Sequence, residues 1–176
     1  MNKIYLYNSL EESNINDNGV YIKGYGCHWD EPNLNFFCCS AKSLERSINE
    51  INSGKATMPR FNYEHNPAEL VGKWEVVKSD STGLYLEGFL PYSIVKNRDY
   101  IIPLIKEGIV NTLSTEIYAV EGYIGKDNVA YLVDGDLVGI SLVSIPADPD
   151  ATFELNSKIW KKDEPTVKPL SYWYGV

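Results

Sequence analysis

Histidine and cysteine are both scarce. His28 and His65 are the only imidazoles, and Cys27, Cys38 and Cys39 the only thiols, among 176 residues. An odd number of cysteines, two of them adjacent, makes a poor disulfide framework, and the CHWD and CC pieces lack the spacing of structural zinc sites. Buried or half-buried thiols in a reducing compartment are therefore expected, with no metal. A positive balance is missing too: 16 Lys+Arg against 24 Asp+Glu give a formal charge of -8. With no run of Lys or Arg, a general nucleic-acid-binding role is excluded, because neutralising phosphates takes clustered cations. Long apolar stretches are also lacking, and none approaches the roughly 20 residues of a membrane helix. The opening MNKIYLYNSLEESN turns acidic by Glu11, too early for a secretion signal. A soluble, cytoplasmic protein is expected.

What is present suffices for a core. With 44% hydrophobic residues, a chain of this length reads as one compact domain burying roughly 70% of its unfolded surface. Gly19 to Trp29 carries β-branched and aromatic residues broken by glycine, which predicts a first strand that bends or bulges. Ala41 to Ser53 places Leu44, Ile48 and Ile51 at helical spacing with Gly54 just beyond, and predicts a short amphipathic helix. Val71 to Val77 and Leu84 to Leu90 flank KSDSTG and predict a hairpin. Arg98 to Gly108 predicts a second helix that Pro103 would kink unless it lies in the first turn. Thr112 to Val120, Asn128 to Val133 and Asp136 to Ile145 read as three further strands. Strands dominate, so the expected class is β-rich α+β: a small closed or partly closed β-barrel with flanking helices. The division expected is an N-terminal segment over 1–18, the barrel domain over 19–155 and a tail over 156–176, where proline and exposed aromatics suggest packing on another surface or mobility.

Two side chains stand out for chemistry. His65 closes the polar segment NYEHNP at the end of a strand-like run, where a ring nitrogen could face a groove and titrate near neutral pH. Ser114, in TLSTEIY, is a small hydroxyl within a strand-like run, and a nucleophile has to be held on such a rigid element. Each residue alone has an ordinary structural reading, the serine as a tolerated small residue and the histidine as a strand-end polar group.

Taken in order, MPRFNYEHNPAELVGKWE, STGLYLEGFLP, IKEGIVNTLSTEIY and GISLVSIPADPDA resemble the tailed-bacteriophage prohead (capsid maturation) serine proteases, which share a fold with the herpesvirus assemblins. The resemblance covers about Gly19 to Phe153. It implies an endopeptidase acting in the host cytoplasm inside the assembling prohead. Its substrates would be scaffold and major capsid proteins, and also the protease itself. No nucleic acid, membrane or cofactor is implied, and homo-oligomerisation, known among the viral relatives, is left open. Carried onto matching positions, Ser114 is the nucleophile and His65 its general base.

The third member is less determined. In the assemblin-like pattern it lies two residues before the serine of the Ser-Leu-Val run, and here that position is Gly139, which has no side chain. In another branch of phage proteases an N-terminal aspartate serves, which would be Asp30. Glu116 competes, two residues beyond Ser114 on the same strand face; Asp136 and Asp148 are weaker, and a dyad also remains open. The resemblance places the oxyanion-stabilising backbone N–H groups near Ala147 and Asp148, without the arginine pair of the viral relatives. Ser141 and Ser144 read as structural. Two other classes stay open: a catalytically inactive capsid-assembly or scaffold-associated module, favoured by Gly139, and an unrelated β-rich binding domain, favoured by 13 Tyr and 4 Trp.

Overall fold

A computed structural model describes residues 3–16, 18–144 and 160–162, with side chains over 18–144. Its strands are β1 (Lys3–Asn16), β2 (Gly19–His28), β3 (Phe37–Cys38), β4 (Arg60–Tyr63), β5 (Asn66–Ser79), β6 (Gly83–Pro91), β7 (Thr112–Ile124), β8 (Ala130–Val143) and β9 (Trp160–Lys162). Helix α1 (Ala41–Asn52) lies between β3 and β4, and a π-helical turn (Asn97–Ile101) runs straight into α2 (Ile102–Lys106).

The strand pairings close on themselves. β8 pairs with β4, then β5, β6, β2, β1 and β7 follow in turn, and β7 pairs back onto β8; β3 and β9 lie outside this circuit. All the pairings in the circuit are antiparallel except β4 with β8. Alternate residues of these strands fill the interior, among them Ile22, Leu84, Leu86, Leu113, Ile117 and Ile140, all essentially inaccessible. Across the interior, Thr115 Oγ1 donates to Gly26 O at 2.8 Å. A Cβ at Gly26 would lie 2.6 Å from that same oxygen, so the glycine permits the close approach.

The predicted helix forms because its apolar positions face one way and its first turn is capped. Leu44, Ile48 and Ile51 are buried, and Ser40 and Ser43 cap each other reciprocally through side chain and backbone. Ser47 Oγ accepts from Leu137 N at 3.0 Å, at a point where the β7–β8 register shifts. The helix thereby satisfies a strand N–H beside an irregularity in the ladder.

The predicted hairpin is present and longer than its apolar runs, spanning all of β5 and β6. The bulge expected in the Gly19 to Trp29 run falls between Tyr25 and His28. Three expectations require correction. Residues 3–16, assigned to a segment outside the barrel, form β1, which bridges β2 and β7. The runs Asn128 to Val133 and Asp136 to Ile145, read as two strands, contribute their residues 130–133 and 136–143 to the single β8, which passes through Asp134-Gly135-Asp136 while its register against β7 shifts. The second helix opens as a π turn that runs without a break into α2, so Pro103 lies inside a continuous helical run and not in its first turn, and its missing N–H directly follows the π irregularity. The boundary near 155 lies outside the described residues; of the tail, Trp160–Lys162 pairs in parallel with β7. Among the described residues no helix is long and apolar enough to cross a membrane.

Candidate functional site

Between β4 and β5 the chain reverses in two residues. Tyr63 pairs with Asn66, and Glu64 and His65 between them have φ of 50° and 56°. Two successive left-handed residues are the mark of the primed type I hairpin turn, normally taken by Asn and Gly. Glutamate and histidine adopt it at about 1–2 kcal/mol each, a strain that packing must offset. Glu64 contributes to that: its N–H donates to Leu142 O at 2.9 Å, and its Oε1 accepts from Ser144 N at 2.7 Å. Both bonds clamp the turn onto the end of β8.

Clamped there, the His65 ring reaches the β7–β8 pair with only 17% of its side chain exposed. Nδ1 lies 3.1 Å from Ser141 Oγ and 3.4 Å from Glu116 Oε1. Ser141 stands directly opposite Ser114 in the antiparallel β7–β8 register, and opposite Asn62 in the parallel β4–β8 register. Opposed residues project to the same face with Cβ atoms roughly 4.5–5.5 Å apart. Ser114, Ser141 and Asn62 therefore form one row across three strands, and Glu116, Gly139 and Arg60 form the next.

Glu116 is completely buried yet richly bonded. Its Oε1 accepts from Asn62 Nδ2 at 3.0 Å and Ser141 Oγ at 3.0 Å, and Arg60 Nη2 lies 3.3 Å from Oε2. A buried carboxylate is tolerable only with such partners. Ser141 Oγ also lies within donating distance of Asn62 Oδ1. Ser114, by contrast, is fully buried and its Oγ has no hydrogen-bond partner among the described residues. Beyond Arg60, a cleft of about 500 Å³ is lined by Met58, Tyr118, Asp136 and Val138 among others.

The other candidates are placed elsewhere. Asp30 is exposed, with φ of 59°, and its N–H donates to Cys39 O at 2.8 Å. Cys38 beside it pairs with Tyr131, some ten residues along β8 from Ser141, which is about 30 Å of strand. Asp30 is thus held against Cys39 on the β3 side, whereas His65 Nδ1 faces Ser141 and Glu116. Asp136 is engaged by Arg46 Nη2 at 2.7 Å. Ala147 and Asp148 lie outside the described residues. Ser141, read from the sequence as merely structural, contacts the histidine directly; its place in the run matching the family was the available signal. Asn62 and Arg60 carried none, since their role depends on the parallel β4–β8 register.

The thiols are buried and unbridged, with Cys39 Sγ 3.4 Å from Cys27 Sγ. Burial, reinforced by Cys39, pushes Cys38 up to about 11. A thiol held protonated is a weak nucleophile, so the hydroxyls are the better candidates here.

The family model described as caudovirus prohead serine protease matches residues 8–164. The fold is similar to that of the bacteriophage T4 capsid assembly protease, with a TM-score of 0.67 and 15% sequence identity over 82% of this chain and 98% of that one. At that identity the likeness concerns the fold alone. No curated protein sequence matches the chain.

Proposed function

We propose, for a chain that belongs to the caudovirus prohead serine protease family and is thus a capsid-maturation protease, that Ser114 is the nucleophile and His65 its general base. One observation carries this reading: His65, fixed in its strained turn, is 3.1 Å from Ser141, and Ser114 is the residue directly across the ladder from Ser141. The unpartnered, buried Ser114 Oγ adds support, because such a hydroxyl costs about 1–3 kcal/mol and calls for an explanation.

In the reaction, His65 Nε2 takes the Ser114 hydroxyl proton as Oγ bonds to the scissile carbonyl carbon. The same nitrogen returns that proton to the departing amine as the C–N bond breaks. Water, deprotonated in its turn by Nε2, then cleaves the acyl ester and restores the serine. The backbone donors for the oxyanion are assigned, on resemblance, to the segment of Ala147 and Asp148. The substrates proposed are the phage's own scaffold and major capsid proteins, and the protease itself, cut inside the prohead within the host cytoplasm.

The test is co-expression with the cognate capsid and scaffold proteins, with new termini mapped by mass spectrometry. Wild type is expected to cut at defined positions, and Ser114→Ala and His65→Ala to abolish those cuts while their melting profiles stay native-like. Identical intact products from wild type and Ser114→Ala would instead indicate a catalytically inactive assembly module. Cuts that survive Ser114→Ala but vanish in Ser141→Ala would transfer the nucleophile's role to Ser141.

A further inference from the structure

Glu116 and Gly139 are cross-strand partners that share one volume. A Cβ built on Gly139 would lie 3.0 Å from Glu116 Cδ and 3.1 and 3.2 Å from its two carboxylate oxygens. The carboxylate thus fills the space from which a side chain at 139 would start, and Glu116 is opposite Gly139 in the register. On the resemblance, 139 is where the residue orienting the histidine would sit, and glycine cannot orient anything.

We propose that Glu116 is the positioning carboxylate for His65, reaching from β7 into the place left open on β8, with Ser141 as the hydroxyl that links it to the ring. The proposal rests on the Ser114–His65 reading above. The proton arrangement follows from the partners. A carboxylate can only accept. The single hydroxyl proton of Ser141 has two acceptors in reach, Glu116 Oε1 and Asn62 Oδ1, which leaves an Oγ lone pair facing Nδ1. Ser141 Oγ and Glu116 Oε1 can then both accept at Nδ1, the arrangement in which Nδ1 carries the proton and Nε2 keeps the lone pair needed by a general base. Asn62 Nδ2 and Arg60 Nη2 hold the carboxylate from its other sides, with Arg60 as its counter-charge. Asp30 is exposed and engaged by Cys39, while Glu116 is buried against the ring.

The deciding experiment compares purified wild type, Ser114→Ala, Glu116→Gln, Glu116→Ala and Glu116→Ala/Gly139→Glu on a peptide spanning a cut site mapped in the co-expression. Glu116→Gln keeps the shape and an oxygen for Asn62 and Arg60 but removes the charge that fixes the tautomer. Its kcat is expected to fall roughly 10³-fold with KM within about threefold, since loss of a triad carboxylate acts on the transition state. Glu116→Ala clears the space above Gly139, so the double variant, which returns a carboxylate from β8, is expected to recover at least about tenfold over Glu116→Ala. If Glu116→Gln turns over within about threefold of wild type while Ser114→Ala is dead, Glu116 only holds the strands and the inference falls alone. If Ser114→Ala is as active as wild type, the underlying reading falls and the inference with it. Should Glu116→Ala fail to fold, Glu116→Gln decides by itself.

Discussion

Asn62 is the residue on which the site's polar groups converge. It is wholly buried, donates to Glu116 and accepts from Ser141. Asn62→Ala removes one hydrogen bond from each partner, the one to Glu116 charge-assisted, and is expected to cost about 2 kcal/mol in urea unfolding. Asn62→Asp is nearly isosteric and should be worse, because it sets a second carboxylate beside a buried one whose counter-charge is already in use. A denaturation midpoint for Asn62→Asp at or above that of Asn62→Ala at pH 7 would show that the two carboxyls do not both carry charge there. At this scale the sequence was partly readable. His65 and Ser114 were visible as residue types in strand-end and strand settings, and Glu116 as sharing a face with Ser114. The reach of Glu116 to the imidazole was not, because it needs Gly139 opposite and a turn that swings His65 back over β8. Asp30 misled for a related reason: a strand end looks alike from the sequence whichever end of the sheet it occupies.

Among the elements, α1 props the site from behind. Its Ser47 hydroxyl is the acceptor for Leu137 N–H two residues from Gly139, so Ser47→Ala leaves a buried donor unmet. The expected loss is about 1–3 kcal/mol, seen as a lowered thermal midpoint and faster amide exchange at Leu137; unchanged exchange there would show that another group takes over. The β5–β6 turn has its own anchor. Asp80 Oδ1 accepts from Thr82 N at 2.8 Å and Gly83 N at 3.1 Å, and Tyr25 OH donates to Oδ2 at 2.9 Å. Desolvation opposes ionisation of Asp80, but these donors together hold its carboxyl below the usual range. A depressed folded-state value contributes stability that is present above the ordinary carboxylate range and lost as pH falls through the lowered value. Asp80→Asn is thus expected to melt below wild type at pH 7 and to converge with it as pH falls through the lowered Asp80 value. A gap that persists undiminished in acid would assign the effect to geometry, not charge. Elements with strong periodicity, α1 and the β5–β6 hairpin, were legible in the sequence. β8 was not read as one strand, because Asp-Gly-Asp has turn chemistry that the neighbouring ladder overrides. The polar LEESN of β1 hid a strand that exists through its pairing on both sides.

For the molecule as a whole, β1 is the seam. It joins β2 to β7, and its partners on β7 run from Thr112 to Tyr118, the stretch holding Ser114 and Glu116. Removing residues 1–16 opens the circuit and bares the backbone edges of β2 and β7, so the truncated chain is expected to lose cooperative unfolding and to associate at micromolar concentration. Light scattering and a melting scan check this; a monomeric, cooperatively melting truncation would show that the remaining strands suffice. The closed circuit also bears on how a polypeptide substrate is read. Many peptide-recognising domains lay the ligand alongside an open sheet edge and grip it by main-chain hydrogen bonds. From Thr112 to Tyr118 β7 has no such edge to offer, being laddered to β1 on one side and β8 on the other. A substrate must therefore cross the face of the wall instead of extending it, gripped by side chains and loops, and its selectivity will be written in the residues flanking the cut more than in a shared backbone register.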